Sequence, residues 1–413
     1  MQSGTSEGSP RGGERLYAAG SSAYEHPPRV LILDRRAVMA TEMCRIMAQL
    51  GCEVDVFGEP FSPAFRSRFV KRCLVSPGTQ EPDAFRRAVE AIVARGAYDA
   101  IFVCNEEVLE SVLDLPSAGQ WRGLVLPAPD RLRLALSRKA MSRVAETAGV
   151  AVPRTIVPDK DDLLGAAREL GFPLIVKGDR GEAGHHVRLV RDPGGLRTAY
   201  DEIASLERAY GELPVLQEYV RGKAYSVGGL FDNGRPLRIC AHLKLAGVPP
   251  LGGLTAKGVT VRVPEVLDAA FKVFAALQYR GLGHCEFIQD SAGRLRFLEV
   301  NPRVWGTVAV SWYAGVDLFS AYLRMAAGMP VSPDLSYREG VRFHRVLREI
   351  RLLQRKPTSI GRVLKDCLDP GVCSDFQWSD CGPHLGAFSL RARGWLERWR
   401  KGALSRSMRA SVD

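Results

Sequence analysis

The hydrophobic pattern of residues 29–105 alternates between short apolar runs and longer amphipathic stretches. RVLILD (29–34) is rich in β-branched residues and leucine and predicts a buried parallel strand. MATEMCRIMAQLG has helical spacing and ends on Gly51, a residue type that commonly closes helices. A strand at 52–58, a helix in RRAVEAIVARGA and a strand at 98–105 follow. This order predicts a parallel, helix-covered sheet. It lacks the GxGxxG loop that would indicate a dinucleotide site.

The pattern changes after residue 126. One helix is predicted from RLRLALSRKAMSRVAETAG, followed by a helix at 161–170 and a strand at 172–178. The loop DRGEAGHH, the strand VRLV, a helix near 195–209 and the strand PVLQEYV come next. Neighbouring strands then predominate: YSVGGLF, PLRICAHLKL and, after a helix at 265–277, the hairpin HCEFIQD–SAG–RLRFLEVN. Successive strands of this kind predict an antiparallel arrangement.

The hairpin carries the most specific chemistry in the chain. Counting outward from its turn places Glu286 about opposite Glu299, and side-chain alternation puts Asn301 on the same face. Phe287 and Leu298 are predicted on the other, apolar face. Two facing carboxylates repel each other unless a cation lies between them. Two carboxylates and an amide oxygen suit Mg²⁺, so the hairpin predicts a metal site; an exposed sheet face with two unrelated glutamates is the alternative.

Two lysines and a loop are candidates for binding an anion. Lys177 ends the apolar strand LIVK, where burying an ammonium group is costly unless an anion lies beside it. Lys139 lies in the helical stretch SRKAM, where a solvated lysine is the alternative interpretation. The loop at 178–184 contains three glycines, which let backbone N–H groups approach phosphate oxygens. It does not match GxxxxGK[ST], so by itself it is also consistent with an ordinary turn.

A further candidate is the strand that ends in QEYV (217–220) and runs into Arg221 and Gly222. Backbone N–H and C=O groups at such a strand end can bind the edge of a planar base. The alternative is a plain buried strand.

The composition is that of a globular chain with an excess of positive charge. Its 413 residues are 46% hydrophobic and 25% charged, the net charge is +11, and the length predicts two or three domains. Residues 331–413 hold 16 Lys/Arg against 9 Asp/Glu, so most of the surplus lies in that segment. Within it, RARGWLERWRKGALSRSMR (391–409) predicts a basic amphipathic helix. That helix either makes weak contact with a membrane surface or docks on the protein itself.

Cysteine usage and the apolar runs favour a cytoplasmic protein. The nine cysteines include no CxxC pair, which disfavours a zinc ribbon or a thioredoxin-type motif and fits a reducing compartment. The first residues contain no apolar core of a signal peptide, and no uncharged apolar run reaches membrane-spanning length. Nucleic acid is not an expected partner, because no helix-turn-helix, zinc-finger or stacking-platform signature is present.

Taken in chain order, these elements resemble the ATP-grasp superfamily. The resemblance is strongest to its carboxylate–amine ligase branch, similar to the ATP-grasp part of carbamoyl phosphate synthetase and biotin carboxylase. It covers about residues 29–330 and is most specific in RFLEVNPRVW (296–305). It implies an α/β protein with a Rossmann-like pre-ATP-grasp domain at 29–125 and an ATP-grasp domain, α+β in character, at 126–330. A mobile lid is expected at about 150–215, a flexible tail at 1–28 and a basic extension at 331–413.

The resemblance implies ATP as the nucleotide and assigns it a set of residues. Lys139 and Lys177 would contact the phosphates, and the 178–184 loop would close over the β- and γ-phosphates. The residues expected at the nucleotide are Lys139, Lys177, Gly181, Gly184, His186, Gln217, Glu218, Tyr219 and Val220. The chain departs from many relatives at two places. It has Lys177-Gly178 where they have Lys-Pro. It also lacks the acid that binds the ribose hydroxyls shortly after the QEYV strand in many of them, so the resemblance implies no ribose-binding residue.

The remaining implied roles concern metal and substrate. Glu286, Glu299 and Asn301 would hold Mg²⁺ or Mn²⁺, and Arg303 would face the transferred phosphoryl group and the carboxylate. Lys257, with His242 and Lys244, is a candidate on the acid-binding side, where AHLKLAGVPPLGGLT (241–255) resembles a substrate loop. The partners implied are a small-molecule carboxylate and an amine, and the family suggests a homodimer.

Three functions are consistent with these features. The first is an ATP-dependent ligase that activates a carboxylate as an acylphosphate and joins it to an amine. The second is an ATP-grasp carboxylase or a carbamoyl-phosphate type of enzyme, which the absence of a visible biotin-accepting or glutaminase segment disfavours. The third is a nucleotide-binding, membrane-associated protein without turnover, for which the basic segment 391–409 is the motivating feature.

Overall fold

A computed structural model describes residues 26–35, 39–77, 81–113, 115, 121–159, 161–181, 184–248, 253–353 and 360–389. The first unit is a four-stranded sheet in which all strands run parallel, in the order β3-β2-β1-β4. The prediction of a parallel sheet is therefore confirmed. Its strands are β1 Arg29–Leu33, β2 Glu53–Gly58, β3 Arg72–Val75 and β4 Ala100–Val103, and its helices are α1 Ala40–Gln49, α2 Pro82–Gly96, α3 Glu106–Leu113 and α4 Pro129–Leu136.

The parallel sheet buries both of its faces. On one face Leu31, Leu33 and Ile101 pack against apolar residues of α2, α3 and α4. On the other face Ile32 and Phe102 join one core with α1 and with helices from much later in the chain. Burial on both faces explains why these strands are continuous apolar runs in the sequence.

A small antiparallel sheet follows, in the order β5-β8-β6-β7, with two helices packed on it. It coincides closely with the residues expected to form a lid, although its motion stays a prediction. Its elements are β5 Thr155–Ile156, α6 Leu163–Leu170, β6 Leu174–Lys177, β7 Val187–Val190, α7 Leu196–Glu207 and β8 Val215–Glu218.

The largest sheet has seven strands in the order β13-β12-β9-β10-β11-β14-β15, antiparallel except for the final pair. Two of its strands, β14 and β15, come from the segment 331–413, for which the sequence predicted only the basic helix at 391–409. The elements are β9 Gly222–Asp232, β10 Arg235–Val248, β11 Leu254–Thr260, α8 Pro264–Ala276, β12 Gly281–Asp290, β13 Leu295–Asn301, α9 Ala309–Tyr313, α10 Leu318–Ala326, β14 Arg342–His344, α11 Val346–Leu353, α12 Ile360–Leu368 and β15 Val372–Ser374.

The two faces of this large sheet have different environments. Phe287 and Phe297 point to one face and pack with α8 and with α5, Arg138–Thr147. On the other face Leu230 and Leu282 lie in the core shared with α9 and α10. Further along the same face the side chains become polar and face the small sheet. That half-covered face is where a binding site can form.

The single helix predicted from RLRLALSRKAMSRVAETAG is wrong in one respect. The chain breaks at Ser137, which has extended φ and ψ of −94° and 117°, so the segment forms α4 and α5 as separate helices. The Ser137 side chain accepts a hydrogen bond from the backbone N–H of Ala140 and caps α5. Helical periodicity continues through the break, which is why the pattern alone did not reveal it.

The C-terminal segment is tied to the parallel-sheet unit by a buried ion pair. The Asp380 carboxylate accepts hydrogen bonds from Arg45 Nε at 2.7 Å, Ser67 Oγ at 2.9 Å and the Arg68 backbone N–H at 3.0 Å. Both charged side chains are almost fully buried. None of the helices in the described ranges has the length and apolar composition needed to cross a membrane. The predicted basic helix at 391–409 lies outside the described residues.

Replacing Asp380 with Ala should destabilise the protein by about 3–5 kcal/mol, because Arg45 would remain buried without its counter-ion. Urea unfolding followed by tryptophan fluorescence measures the loss. The matched control is Asp268→Ala, which removes an exposed pair with Lys272 and should leave the denaturation midpoint near that of the wild type. Equal midpoints for the two variants would contradict the role given to the buried pair.

Candidate active site

The β12–β13 hairpin places two carboxylates directly opposite each other. Glu286 pairs with Glu299 in the register of the two strands, as the sequence predicts. The register then shifts, so that Phe287 faces Phe297, and Leu298 is the extra residue. The prediction that Leu298 points to the apolar face with Phe287 is wrong, because this bulge turns Leu298 toward the same cleft as Glu299.

Three cations surround this carboxylate pair. Arg138 Nε lies 3.1 Å from Glu299, and Lys244 Nζ lies 3.5 Å from Glu286. Lys177, at the end of β6, reaches across from the small sheet and donates to the backbone oxygen of Leu298 at 3.1 Å. The site thus joins the two antiparallel sheets through a cluster of opposite charges.

The protonation of this cluster follows from burial and charge. Burial lowers the pKa of Lys177 to about 8, and Glu299 opposes that change. Burial and the neighbouring Glu299 carboxylate raise the pKa of Glu286, although Lys244 limits the rise. Burial also acts to raise the pKa of Glu299, but Arg138 and Lys177 outweigh it and the net shift is downward. Glu299 is therefore the carboxylate that stays charged most firmly.

A cleft of about 730 Å³ opens between the small and the large sheet, with the carboxylate pair at one end. Its walls are largely apolar. Ile175 and Val187 come from the small sheet, and Ile288 and Leu298 come from the large one. The polar residues that line it are Arg138, Lys177, Gln217, Glu218, Tyr219, Glu286 and Glu299, and Pro153, Gly184 and Val220 complete it.

The QEYV segment lies at the end of this cleft. β8 ends at Glu218, and Tyr219 and Val220 continue past it along the cleft wall. The Gln217 side chain donates to Thr155 Oγ1 at 2.9 Å, and the Glu218 carboxylate pairs with Arg296 at 3.1 Å. Both side chains already have partners, so the backbone of this segment is what it can offer to a ligand.

A buried carboxylate holds the described part of the glycine loop. Glu207 is fully buried and accepts from the backbone N–H of Asp179 at 3.0 Å and of Arg180 at 3.3 Å, while His186 Nδ1 lies 2.5 Å away. Arg138 binds the carbonyl oxygens of this loop at Gly178, Arg180 and Gly181. Gly181 has a φ of +94° and contacts the His186 ring so closely that a Cβ atom would collide with it. Residues 182 and 183 lie outside the described ranges.

A second, smaller cleft of about 460 Å³ adjoins the first and shares Glu286 and Glu299 with it. Arg303 is buried there; its Nη2 lies 3.1 Å from Asn301 Oδ1 and 3.3 Å from Glu106 Oε1. The other lining residues are Gly253, Leu254, Thr255, His284, Asn301, Trp305, Gly306, Thr307 and Arg348.

The tautomer of His284 follows from its neighbours. Because Asn301 Oδ1 accepts from Arg303, the Asn301 amide nitrogen faces His284 Nδ1 at 3.3 Å and donates to it. Burial holds the pKa of His284 well below its usual value, so the ring is neutral with its proton on Nε2. The ring stacks on Trp305 at a centroid distance of 5.6 Å, which makes a flat wall for the second cleft.

The structure brings most of the expected residues together, but not all of them. Lys139 points away from both clefts, and its Nζ pairs with Glu212 at 2.7 Å. Lys257 pairs with Asp366 of α12. His186 is held by Glu207 and, like Gly181, lines a different depression. The residues that do line one of the two clefts are Lys177, Gly184, Gln217, Glu218, Tyr219, Val220, Glu286, Glu299, Asn301 and Arg303.

Sequence reasoning missed Arg138, the residue that lies where Lys139 was expected. The available signal was Ser137, whose capping role makes Arg138 the first residue of α5 and turns it toward the cleft. The sequence pattern places His284 in the first strand of the hairpin and gives no sign that it stacks on Trp305. Arg348 carried no local signal, because its place in the second cleft depends on α11 folding back over the large sheet.

Comparison with known proteins gives a consistent result. Residues 212–348 match a family model described as "ATP-grasp in the biosynthetic pathway with Ter operon". A pyruvate carboxylase from Aspergillus niger is 32% identical over 171 residues, which are 38% of this chain and 14% of that protein. The chain thus spans only a small part of that relative's length.

Two solved structures share the fold. The biotin carboxylase domain dimer of Hydrogenobacter thermophilus 2-oxoglutarate carboxylase superposes with a TM-score of 0.62 at 18% identity, covering 77% of this chain and 74% of that one. An L-amino acid ligase from Bacillus licheniformis superposes with a TM-score of 0.56 at 18% identity, covering 74% and 75%. The family model and the shared fold agree: residues 212–348 match an ATP-grasp family model, within a chain whose fold is that of these two enzymes.

Proposed function

We propose that the protein is an ATP-dependent ligase that activates a carboxylate as an acylphosphate and joins it to an amine. The observation that carries the proposal is the carboxylate pair Glu286–Glu299, which lies where the two clefts meet and is surrounded by Arg138, Lys177 and Lys244. The first cleft suits a nucleotide, and the second suits the molecule that the nucleotide activates. The carboxylate pair lines both clefts, so the phosphoryl group would be transferred beside it, from the nucleotide in the first cleft to the acid in the second.

The first cleft supports ATP in a defined orientation. Its apolar walls, Ile175 and Val187 opposite Ile288 and Leu298, suit the two faces of an adenine ring. The backbone of residues 218–220 would bind the edge of the base. Lys177 and Arg138 would bind the phosphates, with the glycine loop above them. The Hydrogenobacter thermophilus structure that shares this fold is a complex with MgADP, ADP and bicarbonate, which supports a nucleotide as a ligand of this fold.

The donor set also fits a magnesium ion. Glu286, Glu299 and Asn301 supply two carboxylates and an amide oxygen, the hard oxygen ligands that Mg²⁺ takes together with phosphate oxygens and water. Burial and the neighbouring Glu299 carboxylate raise the pKa of Glu286, and a cation bound between the two carboxylates would favour the charged form of both. When bound, Mg²⁺ would neutralise charge on the β- and γ-phosphates.

The chemistry proposed is two displacements. A carboxylate oxygen of the acid attacks the γ-phosphorus and the bond to the β-phosphate oxygen breaks, which gives an acylphosphate and ADP. The amine then attacks the acyl carbon, inorganic phosphate leaves, and the amine loses a proton. Arg303, which is buried where the two clefts meet, would bind the transferred phosphoryl group. Positioning of the reactants and neutralisation of their charge would accelerate the transfer. Closure of the loop would exclude water, which otherwise hydrolyses the intermediate.

The function is tested by a screen for ADP release over carboxylates and amino acids, offered singly and in pairs with ATP and magnesium. Release that requires both an acid and an amine establishes the ligase. Release that requires bicarbonate favours the carboxylase alternative, the activity of the Hydrogenobacter thermophilus protein that shares this fold. Absence of release with every pair would contradict the proposal.

Glu299→Gln should remove nearly all substrate-dependent ADP release, because the variant loses the carboxylate that stays charged most firmly. The expected fall is at least about 100-fold, which is typical for a charged group that acts on a phosphoryl transition state. Circular dichroism and a melting curve show whether the variant is folded. Glu265→Gln, in the first turn of α8, is the control that removes an acid elsewhere. Unchanged turnover in Glu299→Gln would overturn the assignment.

Glu207→Gln should loosen the glycine loop without changing its shape. Burial acts to raise the pKa of Glu207, but its hydrogen bonds to His186, Arg180 and Asp179 lower it, so these are bonds to a charged acceptor. Charge-assisted bonds of this kind contribute about 1.5–3 kcal/mol each. Hydrogen exchange at the amides of residues 179 and 180 should therefore become at least about tenfold faster.

The control for this variant is Glu202→Gln. Glu202 lies on α7, as Glu207 does, but it is exposed and pairs with Arg188 of β7. Its loop amides should exchange at the wild-type rate. Equal protection in Glu207→Gln and Glu202→Gln would mean that the buried carboxylate does not hold the loop.

A further inference from the structure

Arg348 is a buried cation that the nucleotide site does not use. It lies on α11, in the segment that follows β14, and only 8% of its surface is exposed. Its Nη1 donates to the backbone oxygen of Thr255 at 2.7 Å. The side chain lines the second cleft together with Arg303 and the stacked pair His284 and Trp305.

The other buried arginines of the described residues each lie beside a carboxylate. Arg45 pairs with Asp380, Arg345 pairs with Glu42, and Arg303 lies beside Glu106. Among the described residues, no carboxylate lies within ion-pair distance of Arg348; its protein partner is the neutral carbonyl of Thr255. The Asp375 carboxylate acts on Arg348 electrostatically but makes no ion pair with it. Burying a guanidinium without a paired carboxylate is costly, and an anion bound in the second cleft would offset that cost.

Arg348 remains charged despite its surroundings. Burial and the neighbouring Arg345 lower its pKa to about 9, so that the guanidinium is still protonated at neutral pH. Its Nη2 approaches the backbone at Gly306 so closely that a Cβ atom there would lie 3.0 Å from it. The absence of a side chain at position 306 therefore leaves room for the guanidinium at the edge of the second cleft.

We propose that Arg348 binds the carboxylate of the acid substrate in the second cleft, which would make the C-terminal segment part of the active site. This inference rests on the proposed function, because that function is what makes the bound acid a substrate. The anion is a carboxylate rather than a nucleotide phosphate because Arg348 does not line the first cleft, where the proposed function puts the phosphates beside Arg138 and Lys177. A guanidinium also matches a carboxylate with two parallel hydrogen bonds.

The walls of the second cleft limit the kind of acid that it accepts. The flat His284–Trp305 pair and Leu254 line one compact space. Glu286 and Glu299 line both this space and the first cleft. The acid is therefore a small organic molecule whose activated carboxylate reaches the carboxylate pair at the junction.

The test compares Arg348→Met with Arg351→Met, which removes an exposed arginine one turn further along the same helix. Thermal melting is recorded with acetate, glycine, L-alanine, L-aspartate and succinate, and separately with inorganic phosphate and with bicarbonate. At least one of the carboxylates should raise the Tm of the wild type and of Arg351→Met with a saturable dose response. In Arg348→Met the apparent Kd for that carboxylate should rise at least about 30-fold.

Arg348→Lys keeps the positive charge but removes the planar guanidinium. It should restore only part of the affinity, because an ammonium group cannot make the two parallel hydrogen bonds. Each variant's melting curve without ligand shows that it is folded. The inference is overturned if no carboxylate stabilises the wild type, if Arg348→Met responds as the wild type does, or if phosphate or bicarbonate alone gives the effect.

The same variants separate this inference from the proposed function. Carboxylate binding that depends on Arg348, with no ADP release in any mixture, upholds the binding site and contradicts the ligase. ADP release with an unchanged KM for the acid in Arg348→Met upholds the ligase and contradicts the role of Arg348. An increase in the KM for the acid, with the KM for ATP unchanged, supports both.

Discussion

Two carboxylates held face to face are the constraint on which the site depends. The pairing of β12 with β13 forces Glu286 and Glu299 together, and neither can move away without breaking the strand register. Their repulsion is balanced by cations that come from three separate elements: Arg138 at the start of α5, Lys177 at the end of β6 and Lys244 on β10. The charge cluster therefore draws together parts of the chain that are distant in sequence.

The layers of the fold place this cluster where two clefts meet. Helices α9 and α10 cover one half of the large sheet's inner face and leave the other half open to the small sheet. The C-terminal segment closes the second cleft from the side, because α11 follows β14, the strand next to the edge strand β15, and places Arg348 in the lining of the cleft. The segment 331–413, for which the sequence predicted only a basic helix at its end, thus contributes both to the sheet and to the lining of a cleft.

Much of this arrangement could be predicted from local rules, and the exceptions have physical causes. Counting across the hairpin predicts Glu286 opposite Glu299, since strand pairing has a fixed period, but it does not predict the bulge that turns Leu298 inward. Lys139 and Arg138 are one residue apart, and only the helix start at Ser137 decides which of them faces the cleft. Arg348 could not be found from sequence, because its position depends on contacts between distant elements. The net charge of +11 does not locate a binding site, because most of the surplus lies in the segment 331–413. The cations that line the clefts are a few residues at defined positions.

Calorimetric titration of a non-hydrolysable ATP analogue, with and without magnesium, tests the central role of the carboxylate pair most directly. In the wild type, magnesium should tighten binding of the analogue several-fold, because the ion relieves repulsion between the carboxylates and the phosphates. In the double variant Glu286→Gln, Glu299→Gln, metal-free binding should be at least as tight as in the wild type, and magnesium should add little. A magnesium effect of the same size in both proteins, or no binding of the analogue to the wild type, would contradict the account.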